Sequence, residues 1–378
     1  MAFTIGILGG GQLARMLALA GAPLGLRFRV VDTSADACAG QVAPLTQADW
    51  TDLVALDSFA RGIDVATFDF ENVPAATAQW LAARVPVFPA PRALAVAQDR
   101  LQEKQLFLQL GMGTPAFAAV DSRVALDSAL DAVGVPAILK TRRLGYDGKG
   151  QFRLRCREDA AAAWAALGGV PLILEQFVAF DFECSVIAVR GRDGDFRTWP
   201  LTRNWHVDGI LSASLAPAAA SDALAERAVG FARALAESLD YVGVFALELF
   251  VRDGELLANE MAPRVHNSGH WTIEGAQVSQ FENHVRAVLG MPLGDTSARG
   301  PCAMLNWIGA LPSRDPVLVE RFAHWHDYGK SPRAGRKVGH ATVAAADVAT
   351  LRDALTRLGV GLDREAQVAP LLAALDGL

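Results

Sequence analysis

Two acidic residues, Glu248 and Glu260, lie within VFALELFVRDGELLANEMAPR, each inside an apolar, strand-like run. A carboxylate buried in such surroundings without a partner is costly. A hard cation relieves that cost by taking oxygen ligands from the protein and the rest from a nucleotide's phosphates, so the pair reads as a Mg²⁺ site. Sharing one ion requires both side chains on the same side of the ribbon. A three-residue loop over Arg252, Asp253 and Gly254, with the glycine left-handed, achieves this. Glu248 then opposes Ala258, and Glu260 is its diagonal neighbour at about 7–8 Å. A two-residue turn would instead put the two on opposite faces, as exposed hairpin carboxylates.

A second cluster is LKTRRLGYDGKGQ. Lys140 at a strand end and Lys149 between glycines make a cationic flap whose backbone can close on phosphate oxygens without side-chain obstruction. The plainer alternative is a glycine-rich hairpin with solvated charges. A Walker-type site is excluded by the missing GK[ST] ending. Between these clusters lies LEQFVAFDFECSV, in which Glu175 and Glu183 flank a short connection. Such a segment can offer backbone groups to an adenine edge and a carboxylate to ribose hydroxyls, or be an ordinary strand and loop.

The chain opens with GILGGGQLARM: Gly9 and Gly11 occupy the first two places of a G-x-G-x-x-G pattern, Ala14 the third, and Asp32 ends the second strand-like run. Amide groups at such a helix start favour a phosphate or carboxylate. A dinucleotide site and a structural or small-phosphate turn both fit this motif.

The elements that must position these groups change character along the chain. Up to about residue 90, short apolar runs (TIGILG, RFRVVD, VATFDF, VPVFPA) alternate with helical stretches, which predicts a parallel sheet flanked by helices. FPAPRALAVAQDR reads as a domain exit. Strand-like pieces then follow with alanine-rich helices at 158–167 and 221–239, an α+β pattern. The last piece, from about 300, mixes the strands AMLNWIG and GHATVAA with a helix at 346–358.

With 378 residues, 52% of them hydrophobic, the chain has room for two or three domains. Its formal charge of -6 offers no general attraction to nucleic acid or an anionic membrane. No apolar run approaches the roughly 20 residues that span a bilayer, and the start carries no basic leader, so a cytoplasmic location is expected. Cys38, Cys156, Cys184 and Cys302 lack metal-ligand spacing and are expected to be buried apolar fillers.

Taken in order, the glycine-rich flap, the adenine-and-ribose segment and the two-carboxylate hairpin resemble the ATP-grasp superfamily. The strings GILGGGQLARM, FENVP, LGYDGKGQ, EQFV, NWH, NEMAPRVHNSGHWTIEGA and GRKVGH narrow the resemblance, almost end to end, to the N5-carboxyaminoimidazole ribonucleotide synthetase family of purine biosynthesis. The resemblance implies a Rossmann-like domain over 1–98, an ATP-grasp domain over 99–298 with its flap subdomain at about 115–178, and a small C-terminal domain over 299–378. It implies a ligase that carboxylates aminoimidazole ribonucleotide from bicarbonate and ATP through carboxyphosphate. The product would pass from a homodimer to a separate mutase.

The residue roles implied by the resemblance are as follows. Glu248 and Glu260 hold Mg²⁺. Arg100, Lys140 and the flap residues Gly145, Tyr146, Asp147, Gly148, Lys149, Gly150 and Gln151 surround the phosphates of ATP. Glu175, Gln176, Phe177, Val178, Glu183, His206 and Asn259 hold the rest of the nucleotide. Gln12, Leu13, Glu71 and Tyr146 meet the ribonucleotide, and Lys330, Arg336 and Lys337 bind its 5′-phosphate. Arg264, His266, Asn267 and Ser268 serve bicarbonate, carboxyphosphate or substrate, and Asp147 orients or deprotonates the amine. The rival readings are a formate-using glycinamide ribonucleotide transformylase and a nicotinamide oxidoreductase built on the opening turn.

Overall fold

A computed structural model describes residues 3–145 and 149–378, so Tyr146, Asp147 and Gly148 of the flap lie outside the described residues. The first domain is a four-stranded parallel sheet in the order Leu45–Gln47, Arg27–Asp32, Thr4–Leu8, Val65–Phe68. Its strands are near-continuous apolar runs because helices cover both faces. VPVFPA, expected as a strand, contributes only a bridge between Ala66 and Val87. Pro86 and Pro89 have no amide hydrogens to extend the ladder.

A separate antiparallel sheet carries the flap. Its order is Phe117–Val120, Leu172–Gln176, Ala137–Thr141, Gln151–Leu154, and the helices Arg123–Val133 and Ala160–Leu167 close a core of its own against it. The central sheet begins with the hairpin strands Glu255–Ala262 and Gly243–Arg252. It continues through Phe182–Arg190, Thr202–Val207 and Ile210–Ala216. The strands of the last segment do not form a sheet apart. Cys302–Ile308 pairs with Ile210–Ala216, and Lys337–Ala344 and Ala323–Asp327 follow it outward.

The three expected helices differ in extent, and that expected at 158–167 begins at Ala160, after a short turn over Arg157–Asp159. The helix expected at 346–358 runs Val348–Leu362, because Leu351, Leu355 and Leu358 form an apolar stripe that Leu362 continues onto the sheet. The helix expected at 221–239 spans Asp222–Ser238, with the Ser221 hydroxyl accepting from the Leu224 amide as its cap. Among the described residues, no helix is long and apolar enough to cross a membrane. Three cysteines are buried as expected, but Cys156 is exposed. It begins the short Arg157–Asp159 turn on the surface, where its amide bonds Asp159.

Candidate active site

The Gly243–Arg252 and Glu255–Ala262 hairpin turns on two residues, Asp253 and Gly254, both with positive φ (51° and 76°). The expected three-residue loop is therefore absent, and so is the diagonal register. A two-residue turn alone would pair Glu248 with Asn259 and send Glu260 to the far face. Instead the ladder slips between Glu248 and Leu249: Leu249 pairs with Ala258, Glu248 pairs with Glu260, and Asn259 is the extra residue of a β-bulge. The slip returns both glutamates to one side, in direct opposition. Each has one nitrogen partner beside it. Glu248 meets His266 Nε2 at 3.1 Å, and Glu260 meets Arg100 Nη1 at 2.8 Å. Its enclosed setting opposes ionisation of Glu260, but Arg100 more than offsets this and holds its pKa at about 2.

Arg100 also donates to the Gly145 carbonyl at 3.3 Å, which ties the hairpin to the start of the flap. Across the cleft, Lys140 Nζ donates to Glu175 at 2.9 Å, and Lys104 reaches the same oxygen at 3.4 Å. Burial disfavours the Glu175 charge, but the two lysines overcome it and bring its pKa to about 2. Glu175 sits in an inner strand between Phe117 and Ile138, so its backbone is engaged in the sheet as its side chain is with the lysines. Gln176 and Phe177 donate their amides to Ala116 and Pro136, and Val178 is buried. Gln151 faces Lys140 across the flap ladder, and Gly150, at φ +69°, passes so close to Thr141 that a Cβ would stand 2.6 Å from its hydroxyl. Glu183 accepts from His206 Nδ1 at 2.7 Å; burial alone would lower the His206 pKa, but this bond raises it.

The first domain brings its own charges. At the GGGQ turn, the Gly10 amide donates to Asp32 at 2.6 Å and the Gly11 amide donates to Asp69. The donors that a dinucleotide phosphate would use are committed to two internal carboxylates, so Asp32 holds a turn and no ribose. Gln12 accepts from Lys330 at 2.5 Å, and Glu71 pairs with Arg264. Burial opposes charge on Glu71, yet Arg264 lowers its pKa below the usual carboxylate value. Lys330 and Arg336 line a cleft of about 590 Å³ together with Asp36 and Gln41.

Several expected roles need correction. Asn267 is buried and makes a reciprocal amide pair with Asn306, at 3.1 and 2.7 Å, so its side chain has neither end available to substrate. Ser268 is also buried. Its hydroxyl contacts His266 Nδ1 at 2.8 Å and Ser185 at 2.7 Å, and its amide donates to the same ring nitrogen. That bonding leaves the proton on Nε2, facing Glu248; Ser268 thus orients a histidine. The Leu13 side chain belongs to the core, leaving only its backbone for a ligand. Lys337 opens a strand opposite Ile308, outside the lining of the Lys330 cleft, and its charge acts on His206.

Sequence reasoning missed Asp69, Glu103, Lys104 and the polar chain Ser185–Asn204–Ser214 behind His266. A signal was available for two of them: Arg100, Glu103 and Lys104 share one face of the Arg100–Gln109 helix, a spacing that can present three charges to one target.

Comparison with known proteins identifies the family. Residues 1–98 match the model of the ribonucleotide synthetase preATP-grasp domain, 105–281 that of the ATP-grasp domain, and 302–354 that of the phosphoribosylaminoimidazole carboxylase C-terminal domain. N5-carboxyaminoimidazole ribonucleotide synthase of Pseudomonas aeruginosa is 54% identical over 349 residues, covering 92% of this chain and 96% of that protein. The crystal structure of the Thermus thermophilus synthetase superposes with a TM-score of 0.91 at 55% identity, covering 94% of this chain and 98% of that one. The Aspergillus clavatus enzyme, solved with ADP and 5-aminoimidazole ribonucleotide, gives 0.89 at 30% identity, over 96% and 99% of the two chains. The chain belongs to the N5-carboxyaminoimidazole ribonucleotide synthase family of ATP-grasp ligases.

Proposed function

We propose that the chain carboxylates the amine of 5-aminoimidazole ribonucleotide. Bicarbonate oxygen takes the γ-phosphoryl group of ATP, releasing ADP and forming carboxyphosphate. The amine nitrogen then bonds to its carbon, directly or by way of freed CO₂, and phosphate departs. The observation that carries this reading is the pairing of Glu248 with Glu260 on one face, flanked by His266 and Arg100.

Two oxygen donors, one of them firmly ionised, suit a hard cation that completes its shell with phosphate oxygens. Glu248 and Glu260 would hold Mg²⁺, which supplies charge neutralisation on the phosphates when bound. Phosphoryl transfer depends mainly on positioning and electrostatics. Arg100 and Lys140, gathered around Glu260 and Glu175, supply positive charge. His266, steered by Ser268, and Arg264, steered by Glu71, offer N–H donors to bicarbonate or carboxyphosphate beside the hairpin. Lys330 and Arg336 give the ribonucleotide's 5′-phosphate a cationic cleft next to the GGGQ turn. The homodimer, the cytoplasmic location and hand-over of the product to a separate mutase belong to the same reading and rest on the family.

The test is ADP release with each component omitted in turn. Release should require MgATP, bicarbonate and aminoimidazole ribonucleotide together. Release that depends on formate and glycinamide ribonucleotide would overturn the proposal.

A further inference from the structure

One helix holds the hairpin bulge through three side chains of one face. Arg100, Glu103 and Lys104 lie on the inner face of Arg100–Gln109, whose start is fixed by Asp99 accepting from the Leu101 and Gln102 amides. Arg100 takes the Glu260 carboxylate at 2.8 Å. Glu103 accepts the Met261 amide at 2.7 Å. Lys104 donates to the Asn259 carbonyl at 3.1 Å. These contacts fall on the bulged residue and the two after it, where the ladder has lost its register. Glu255–Ala262 is the edge strand of its sheet, so its outward backbone groups have no strand partner, and here side chains supply two of them.

Lys104 is 1% exposed, an unusual place for an ammonium group. Its charge is balanced by Glu175, which the neighbouring Lys140 also engages. One buried cation therefore contacts both the bulge that aims Glu260 and the carboxylate that aims Lys140.

Resting on the reading of Glu248 and Glu260 as metal ligands, we propose that Lys104, assisted by Glu103, is a positioning residue that pins the Asn259 bulge and so keeps the Glu260 carboxylate on the Glu248 side of the sheet. Without the ammonium group the Asn259 carbonyl loses its donor, and the bulge is free to close or to move past Glu260, away from the turn. Either outcome swings Glu260 away from Glu248. Groups that support metal ligands in this way are commonly worth about 10–100-fold in metal affinity.

The experiment is a Mn²⁺ titration followed by electron paramagnetic resonance, with a non-hydrolysable ATP analogue present. It compares wild type, Lys104→Met, Lys104→Arg and Glu260→Gln, and adds steady-state kinetics for each. Lys104→Met should weaken Mn²⁺ binding about 10-fold or more while the KM for aminoimidazole ribonucleotide stays unchanged. Lys104→Arg keeps charge and donor and should recover part of the loss. A folded Lys104→Met protein with wild-type Mn²⁺ affinity overturns the inference. If Glu260→Gln also leaves Mn²⁺ affinity unchanged, the metal reading itself fails, which separates the two. Should Lys104→Met not fold, Glu103→Leu, which removes the acceptor for the Met261 amide, decides by the same titration.

Discussion

Glu248 and Glu260 stand directly opposite each other across a two-residue hairpin because Asn259 is looped out of the ladder between them and the turn. Strand side chains alternate with period two, and the looped-out residue is what keeps Glu260 in phase with Glu248. Deleting Asn259 would remove the bulge yet leave Glu260 next after Ala258 and still opposite Glu248, so the decisive variant is Glu260→Gln, which takes away the carboxylate that Arg100 engages. In Glu260→Gln, ADP formation should fall by about 10²–10³-fold, because a preorganised electrostatic group at the phosphates is lost. Circular dichroism should show the fold retained. Activity within tenfold of wild type in the folded Glu260→Gln variant would sink the metal hairpin.

The Glu71–Arg264 pair joins the first domain to the segment after the hairpin, and both side chains are largely shielded from water. Glu71→Gln keeps the shape but loosens the guanidinium, so the KM for aminoimidazole ribonucleotide should rise about 10-fold, the equivalent of one charge-assisted hydrogen bond. The KM for MgATP should not move. Glu71→Leu strands a charge, and denaturant unfolding should show a loss of about 3 kcal/mol. Combining it with Arg264→Met should restore stability without restoring turnover, the expected behaviour when an enclosed ion pair is replaced as a unit.

The sequence made some features legible and concealed others for identifiable reasons. Periodic apolar runs were enough for the parallel sheet and for the helix ending near Ser238, since burial dictates both. The side shared by Glu248 and Glu260 was anticipated, but by the wrong route: a three-residue loop was expected where a type I′-like turn plus a bulge produces the same parity. A bulge is set by tertiary contacts, here with Glu103 and Lys104, that no local propensity reveals. Asn267 and Ser268 looked functional because they sit in a run of polar donors. Their partners Asn306 and Ser185 lie far off in sequence, so their structural duty was invisible. Asp69 gave no signal at all, being one acid in FDFEN whose target is an amide at the other end of the domain.

Asp69 provides a pH test. Burial raises its pKa to about 6, against the lowering effects of the Gly11 amide, Arg264 and Lys330. A carboxyl whose folded pKa lies above its unfolded value of 3.8 favours the folded state fully below 3.8, and that contribution is lost as pH rises through about 6. Asp69→Asn retains an oxygen for the Gly11 amide but cannot ionise. Relative to this variant, wild type should lose about 3 kcal/mol of stability between pH 4 and pH 7.5, from roughly two pKa units at 1.36 kcal/mol each. Urea unfolding of both proteins at the two pH values measures it. Parallel curves would show that Asp69 stays ionised throughout.

The opening glycines can be tested against the dinucleotide reading they invite. Asp32 accepts the Gly10 amide at 2.6 Å and the Ser34 amide at 2.8 Å, and Asp69 accepts the Gly11 amide. Two carboxylates at the helix start repel a pyrophosphate and occupy the donors it would need. NADH should therefore produce no saturable fluorescence change at millimolar concentration, whereas MgATP binding is expected under the same conditions. Asp32→Ala exposes the Gly10 donor and should cost about 1–3 kcal/mol in unfolding free energy, the usual penalty for a buried amide left unpaired. It should leave the KM for MgATP unchanged, because Asp32 organises the turn beside the ribonucleotide cleft and lies outside the hairpin site. Saturable NADH binding by the wild-type chain would contradict both the assignment of Asp32 and the reading of the first domain as a substrate domain.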